Sequence, residues 1–573
     1  MKPILRRRGA RMAHSSPRRT STRMEHAGRT RRSLHVIITS GLMSLHVIIT
    51  SGLMLVGLGS GCDRDAPTNQ DSEAVSNEQR LDFAARSLIA LDVPRAREAL
   101  DGVSERSQDT DLLRARLAVM VGDCHGAVTL LTAHENQSTS VSAYANSSES
   151  PSELFSVAEG CSRAMAGAEI VSDEAAQVWV RLQNSRDRAL VPLIAEVANR
   201  ARKAISAHLR ARLPGPIRIE LVSDLASLSL VTGLPLEAAE TTGTVAIARW
   251  GKITLLSPRA TPQGYPWQDT LAHELAHLIV ARQSSDAAPL WLQEGIAKRE
   301  ETRWREPLAL DDDREAHREA KAALIEGRSI GIDRLGASMA LLPTAKAADT
   351  AYAEVRDFLD YWLQETGEPA LVLLLRDLAG MGANGVERAL VSVSGYKLDD
   401  WILRWQRALQ AEASPGDRML SDVASSGHSE WTTDGSRRLR LAELLSEQKH
   451  HRQALEQLAP LISAPKLVPE LATRAIASRL ITREVSDLPR LIEPERVTHL
   501  DGTWLALRGR ALESLGDAAN AETAYRQSLA FAPTLERVAC RGISEQETEP
   551  EPGPQPALEP WRALCLSARA FPR

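Results

Sequence analysis

Between Trp267 and Gln283 the chain runs without a proline or glycine, and inside that run stands His273-Glu274-Leu275-Ala276-His277. On an α-helix, residues four apart share a face, so this spacing puts both imidazoles on one side with a carboxylate beside them. Asp269 or Thr270 can serve the first turn, and Leu271, Leu275, Leu278 and Ile279 can pack the helix into a domain. A second helix is predicted to start at Pro289-Leu290-Trp291-Leu292-Gln293-Glu294-Gly295-Ile296-Ala297, with Glu294 seventeen residues beyond His277. Two imidazoles on one helix and a carboxylate on the next make a candidate His₂Glu metal site with one open coordination position.

Composition sets the frame around this pair of helices. The chain has 573 residues, room for three or four domains, with 43% hydrophobic and 25% charged residues. These fractions exclude a wholly disordered, collagen-like or polytopic membrane protein. Aromatic residues are only 4%, which favours helices over a β-sandwich. Residues 1–61 hold eleven Lys/Arg and one acidic residue, Glu25. Without them, the 69 basic and 74 acidic residues of the chain fall to 58 and 73, a net charge of −15. A body that acidic argues against nucleic acid as a partner.

The basic start reads as an export signal. Arginine-rich segments precede an apolar stretch from Leu34 to Leu58, then Gly59-Ser60-Gly61-Cys62 and polar sequence. Thr30-Arg31-Arg32-Ser33-Leu34 also resembles a twin-arginine signal. Small residues ending at a cysteine resemble a bacterial lipobox, which makes Cys62 the expected lipidation site and residues 1–62 the expected signal and lipoprotein anchor. Ser33–Met43 is repeated without change as Ser44–Met54. Two copies bring the apolar stretch near the ~20 residues that span a bilayer, so an uncleaved transmembrane anchor is the alternative. Either reading puts the body outside the cytoplasmic membrane, in the bacterial cell envelope. Cys124, Cys161, Cys540 and Cys565 then form two sequence-local pairs, expected as Cys124–Cys161 and Cys540–Cys565 disulfides in an oxidising compartment, or as four buried thiols.

Helical periodicity marks residues 77–170 and 437–543. In the first, Leu91-Asp92-Val93-Pro94-Arg95-Ala96 parallels Gly122-Asp123-Cys124-His125-Gly126-Ala127. In the second, Gly509, Gly516-Asp517-Ala518-Ala519-Asn520-Ala521, Tyr525 and Pro533 resemble a tetratricopeptide repeat, and Lys449–Ala454 resembles an earlier copy. Residues 135–152 read as a loop, 411–436 as a linker and 544–573 as an extended tail. The middle segment, 174–410, opens with a predicted helix at Pro192–Leu213. Predicted strands follow at Ile217–Val222, Thr244–Arg249 and Lys252–Leu256, the last two around a Trp250-Gly251 turn, and then more helices. Strands followed by helices predict an α+β domain.

The histidine motif together with Glu294-Gly295-Ile296-Ala297 resembles the gluzincin metallopeptidases, which include thermolysin, and most of all the bacterial peptidase-MA-like domains. The resemblance covers about 217–405. It implies a thermolysin-like catalytic domain between tetratricopeptide-like segments and one Zn²⁺ held by His273, His277 and Glu294. It also implies Glu274 as general base and a protein or peptide substrate. Tyr352 lies 58 residues past Glu294, similar to the family's oxyanion tyrosine; a packing role is the alternative, and Tyr361 and Tyr265 are further candidates. Of the two strands before the motif helix, either is expected to pair with substrate backbone. The exopeptidase segment of the aminopeptidases is absent. Lys298 stands where thermolysin has a carboxylate supporting a ligand, leaving Glu300 or Glu301 to support the histidines. The implied function is zinc-dependent peptide hydrolysis, with protein partners met through the helical repeats and the membrane through the anchor. An envelope scaffold with a non-catalytic zinc domain, or a zinc hydrolase of cell-wall amides, is the alternative.

Overall fold

In the computed structural model the chain has an α+β fold, mostly helical with a small mixed sheet. The structure describes residues 76–133, 150–308, 310–312, 314–412, 433–535, 539–540 and 564–565. The expected signal segment with Cys62, and the expected tail apart from Leu564 and Cys565, lie outside the described residues.

The first helices are α1 (Asn77–Ile89), α2 (Val93–Asp101), α3 (Gln108–Met120), α4 (Cys124–Thr132) and α5 (Pro151–Ala164). The sequence parallel noted between them has a local cause. Leu91 and Gly122 both take left-handed backbone angles, φ +57° and +84°, and reverse the chain. The aspartate that follows each one caps the next helix: Asp92 accepts from the Arg95 N–H at 3.3 Å and Asp123 from the Gly126 N–H at 2.9 Å. Near the C-terminus Gly516 (φ +83°) and Asp517 repeat the device on Ala518–Phe531.

A five-stranded sheet follows, in the order β1 (Glu169–Asp173), β2 (Val178–Leu182), β3 (Ile217–Val222), β5 (Lys252–Leu256), β4 (Ala246–Arg249). β2, β3 and β5 run parallel, while β1 and β4 are antiparallel edges. The sequence pattern marks β3, β4 and β5 but not β1 and β2. β1 starts at Glu169, inside the stretch whose periodicity reads as helical. Helix α6 (Val191–His208) connects β2 to β3. It stops short of the expected Leu213, because Arg210 adopts a left-handed φ of +48°. Helices α7 (Leu225–Thr232) and α8 (Leu236–Thr242) lead into the β4–β5 hairpin.

Strand alternation divides the sheet chemically. Val178, Val180, Leu182, Ile217, Ile219, Leu221, Ile253 and Leu255 share one apolar core with α6 and α9 (Trp267–Gln283). The opposite face carries Arg181, Glu220 and Lys252, all buried. Glu220 accepts from Arg181 at 3.0 Å and from Lys252 at 2.6 Å. The Arg181 guanidinium also reaches both sulfurs of the Cys124–Cys161 disulfide, which joins α4 to α5 over this face. Cys540–Cys565 is likewise paired.

After α9 come α10 (Leu290–Glu300), α11 (Glu315–Glu326), α12 (Ala345–Thr366), α13 (Glu368–Met381), α14 (Val386–Ser394) and α15 (Leu398–Ala411). Trp291, Phe358 and Trp405 stack edge to face through this layer, with centroids 5.3 and 5.7 Å apart. The remaining helices run from Thr433, inside the stretch read as linker, to Phe531. Between Gly502–Ser514 and Ala518–Phe531, the Tyr525 ring lies 2.7 Å from where a Cβ on Gly509 would stand. A glycine there lets the two helices close on each other.

The carboxylate of Glu220 balances two buried cations. Glu220→Ala leaves both buried charges unpaired, and its expected cost is about 3–5 kcal/mol of folding stability, measured by urea denaturation.

Candidate metal centre

Helix α9 is fixed before its histidines are placed. Trp267 is fully buried, and its indole N–H donates to the Ala530 carbonyl at 2.6 Å. Asp269 stands in the first turn, yet no side chain caps this helix. Its carboxylate accepts instead from Arg305 at 2.7 and 2.8 Å and from Trp304 at 3.1 Å, tying the start of α9 to the segment after α10. Leu271, Leu275, Leu278 and Ile279 are buried, as the apolar spacing predicts.

Ser285 and Asp286, both with positive φ, then turn the chain into α10. Helix α10 sits close against α12 because position 295 has no side chain. A Cβ there would lie 2.9 Å from the Val355 carbonyl oxygen and 3.3 Å from Leu359 Cβ. This close seat sets the neighbouring Glu294.

The arrangement brings the three predicted ligands together. Glu294 Oε2 lies 3.4 Å from His273 Nε2 and 3.5 Å from His277 Nε2. The three potential ligand atoms all lie within 4.8 Å of one another. Ligands at about 2.0–2.1 Å from a tetrahedral zinc ion stand about 3.3–3.4 Å apart, so the two measured edges match such a centre. Glu294 Oε2 is buried and has no hydrogen-bond partner among the described residues, an orphaned acceptor that a cation would satisfy. On these two observations the residues fit a divalent metal. Cys124, Cys161 and Glu220 also converge, but their sulfurs are joined to each other.

The local field favours positive charge. Burial opposes protonation of His273, but the carboxylates of Glu294, Glu301 and Glu274 outweigh it and push the imidazolium up to about 10. Burial also works against ionised Glu294, yet His277 and His273 hold its carboxyl well below the usual range. Glu274 behaves differently. Burial pushes its carboxyl above the usual value, only partly offset by His277, His273 and the Ala248 N–H, with Glu294 raising it further. Of two buried carboxylates on one site, Glu294 thus stays charged while Glu274 is poised to take up a proton.

Among the supporting residues, the structure chooses Glu301. Its carboxylate lies 3.2 Å from His273 Nδ1 and 2.6 Å from Lys298 Nζ. Glu300 faces away, bonded to His208 and Arg303.

Tyr352, on α12, comes to the site. Its ring stacks edge-on to His273 at 6.1 Å, with Lys298 Nζ 5.6 Å from the ring centroid. Burial and the nearby Glu294 and Glu274 raise its phenol well above 10, so it remains a hydrogen-bond donor. Tyr265 donates its hydroxyl to the Leu256 carbonyl, and Tyr361 stacks on Trp401.

Of the two strands expected to meet substrate, only one has an open edge. β5 is paired on both sides, whereas β4 ends the sheet. Ala246 and Ala248 sit opposite Leu255 and Ile253, at positions that alternate with the hydrogen-bonded pairs, so their backbone groups point away from β5, and the Ala248 N–H meets Glu274.

Gly295→Val must displace α10 from α12. The expected cost is about 1–3 kcal/mol, seen as a lowered midpoint in chemical denaturation. Compared with known protein families, curated proteins and solved structures, the chain matches none.

Proposed function

We propose that the chain is an envelope-anchored zinc metallopeptidase with a thermolysin-like, gluzincin catalytic layout, flanked by tetratricopeptide-like helical arrays. The observation that carries this reading is the convergence of Glu294 on both imidazoles, with Glu274 beside them but outside the ligand set. A purely structural site has no use for that fourth group.

His273, His277 and Glu294 would hold Zn²⁺. When bound, zinc lowers the pKa of a water and polarises a carbonyl. The rest falls to the chain's own residues. Glu301 accepts from His273 Nδ1, so Nε2, directed at the ligand cluster, is the nitrogen that would give up its proton to a metal. Glu274, raised by burial, takes the proton of the attacking water and returns it to the leaving amine. Tyr352 donates to the oxyanion that develops on the former carbonyl oxygen. The open edge of β4 accepts the substrate as an added strand, so main-chain hydrogen bonds hold an extended polypeptide without demanding one sequence. The helical arrays would recruit protein partners, and Cys62 would carry the lipid that fixes the protein to the membrane.

Two experiments on the full-length protein test this. Metal analysis is expected to find one zinc per chain, lost in His277→Ala. A peptide-library digest is expected to show cleavage that Glu274→Gln lowers by about 10²–10⁴-fold while keeping the zinc. Unchanged cleavage by that variant would remove Glu274 from the chemistry. Zinc without any cleavage would leave an envelope scaffold, and cleavage of peptidoglycan alone would point to a cell-wall amidase.

A further inference from the structure

The N-terminal helices do more than flank the sheet. The β4–β5 turn, Trp250-Gly251, adopts left-handed angles at both residues, φ +58° and +70°, and projects into them. Trp250 is buried among Leu112, Ala115, Val119 and Val157. Gly251 lies so close to Met120 and Leu91 that a side chain would meet both. Arg249 pairs with Glu153 on α5 at 3.2 Å, and Arg282 near the end of α9 donates to the Ala90 carbonyl. The open strand and the motif helix are thus both tied to α1–α5.

These ties leave a cleft of about 610 Å³ between the two parts. Ile89, Leu91 and Met120 form the helical side; Ile247, Leu290 and His277 form the other. The volume lies in the range of ligand sites; Leu88, Ile89, Leu91 and Met120 make the helical side apolar beside Arg116, while Arg249 and Asp286 bring charge to the other. His277 connects it to the ligand cluster, and Ile247 to the open edge of β4. Leu341, 54% exposed, stands on the rim.

Resting on the peptidase reading, we propose that α1 and α3 form one wall of the substrate cleft, and that this wall selects an extended polypeptide bearing a bulky apolar side chain beside the cleaved bond. A chain laid along β4 presents alternate side chains to one side, so one subsite is read by Ile89 and its neighbours.

Position-scanned peptides and the full chain test this, with cleavage sites read by mass spectrometry. The wild type is expected to favour Leu, Met or Phe over Asp and Lys at one position by about tenfold to a hundredfold in kcat/KM. Ile89→Glu is expected to lose that preference and gain one for Lys at the same position, while Ile89→Leu keeps it. Preference unchanged in Ile89→Glu would overturn the proposal. If that variant fails to fold by circular dichroism, Arg116→Glu on the α3 side of the same wall serves instead, with the same expected gain for Lys. If the wild type cleaves nothing, the peptidase reading fails on its own. The wall is then read by fluorescence anisotropy of labelled apolar and lysine-bearing peptides on Glu274→Gln protein. Loss of apolar selectivity in the Ile89→Glu double variant supports it, and equal binding of both peptides overturns it.

Discussion

A buried carboxylate held against two imidazoles is the arrangement on which the site depends. Removing an ion from water costs several kcal/mol, and Glu294 recovers that only if the positive ends of its neighbours stay in place. They stay because the helices carrying them cannot slide. Trp267 is anchored at one end of α9, Asp269 is locked to Arg305, and Gly295 lets α10 lie directly on α12. The ligand geometry is therefore a property of the surrounding packing as much as of the three side chains.

The same argument explains why Glu274 and Glu294 behave differently although both are carboxylates on neighbouring helices. Each is buried and each feels the two histidines. Glu294 Oε2 lies 3.4 and 3.5 Å from their Nε2 atoms, where attraction exceeds the cost of burial. Glu274 is adjacent to His273 in sequence and shares the field of Glu294, so for it burial wins. One field separates the two acids into a permanent anion and a group able to change its protonation.

How much of this was legible in the sequence follows from the reach of each signal. The motif helix, its apolar face and the second helix depend on residues a few positions apart, and periodicity reads such spacing well. The β3 strand and the β4–β5 hairpin were legible for the same reason. β2 alternates just as clearly at Val178, Val180 and Leu182, but it is only 5 residues long and runs into a longer helical pattern that masks it. Other features have no local signature. That β4 rather than β5 has the open edge depends on strand order, which a chain cannot disclose strand by strand. The choice of Glu301 over Glu300 turns on which way one helical turn faces, a rotation of about 100° between neighbours.

The clamping of α9 lies further still from sequence reading, because its contacts join segments hundreds of residues apart. Its C-terminal turn is held through Arg282 by Ala90, and its N-terminal turn through Trp267 by Ala530. The loop before it is also held from the C-terminal side, where the Gly502 N–H donates to the Gln263 carbonyl at 3.0 Å and Arg259 to Pro533 at 3.3 Å. Helical arrays that merely recruited partners would need no such attachment. Here they hold both ends of the helix that carries the histidines. On the N-terminal side the helices also hold the Trp250 turn and with it β4. Strand and motif helix are consequently held by the same external support, which fixes their separation.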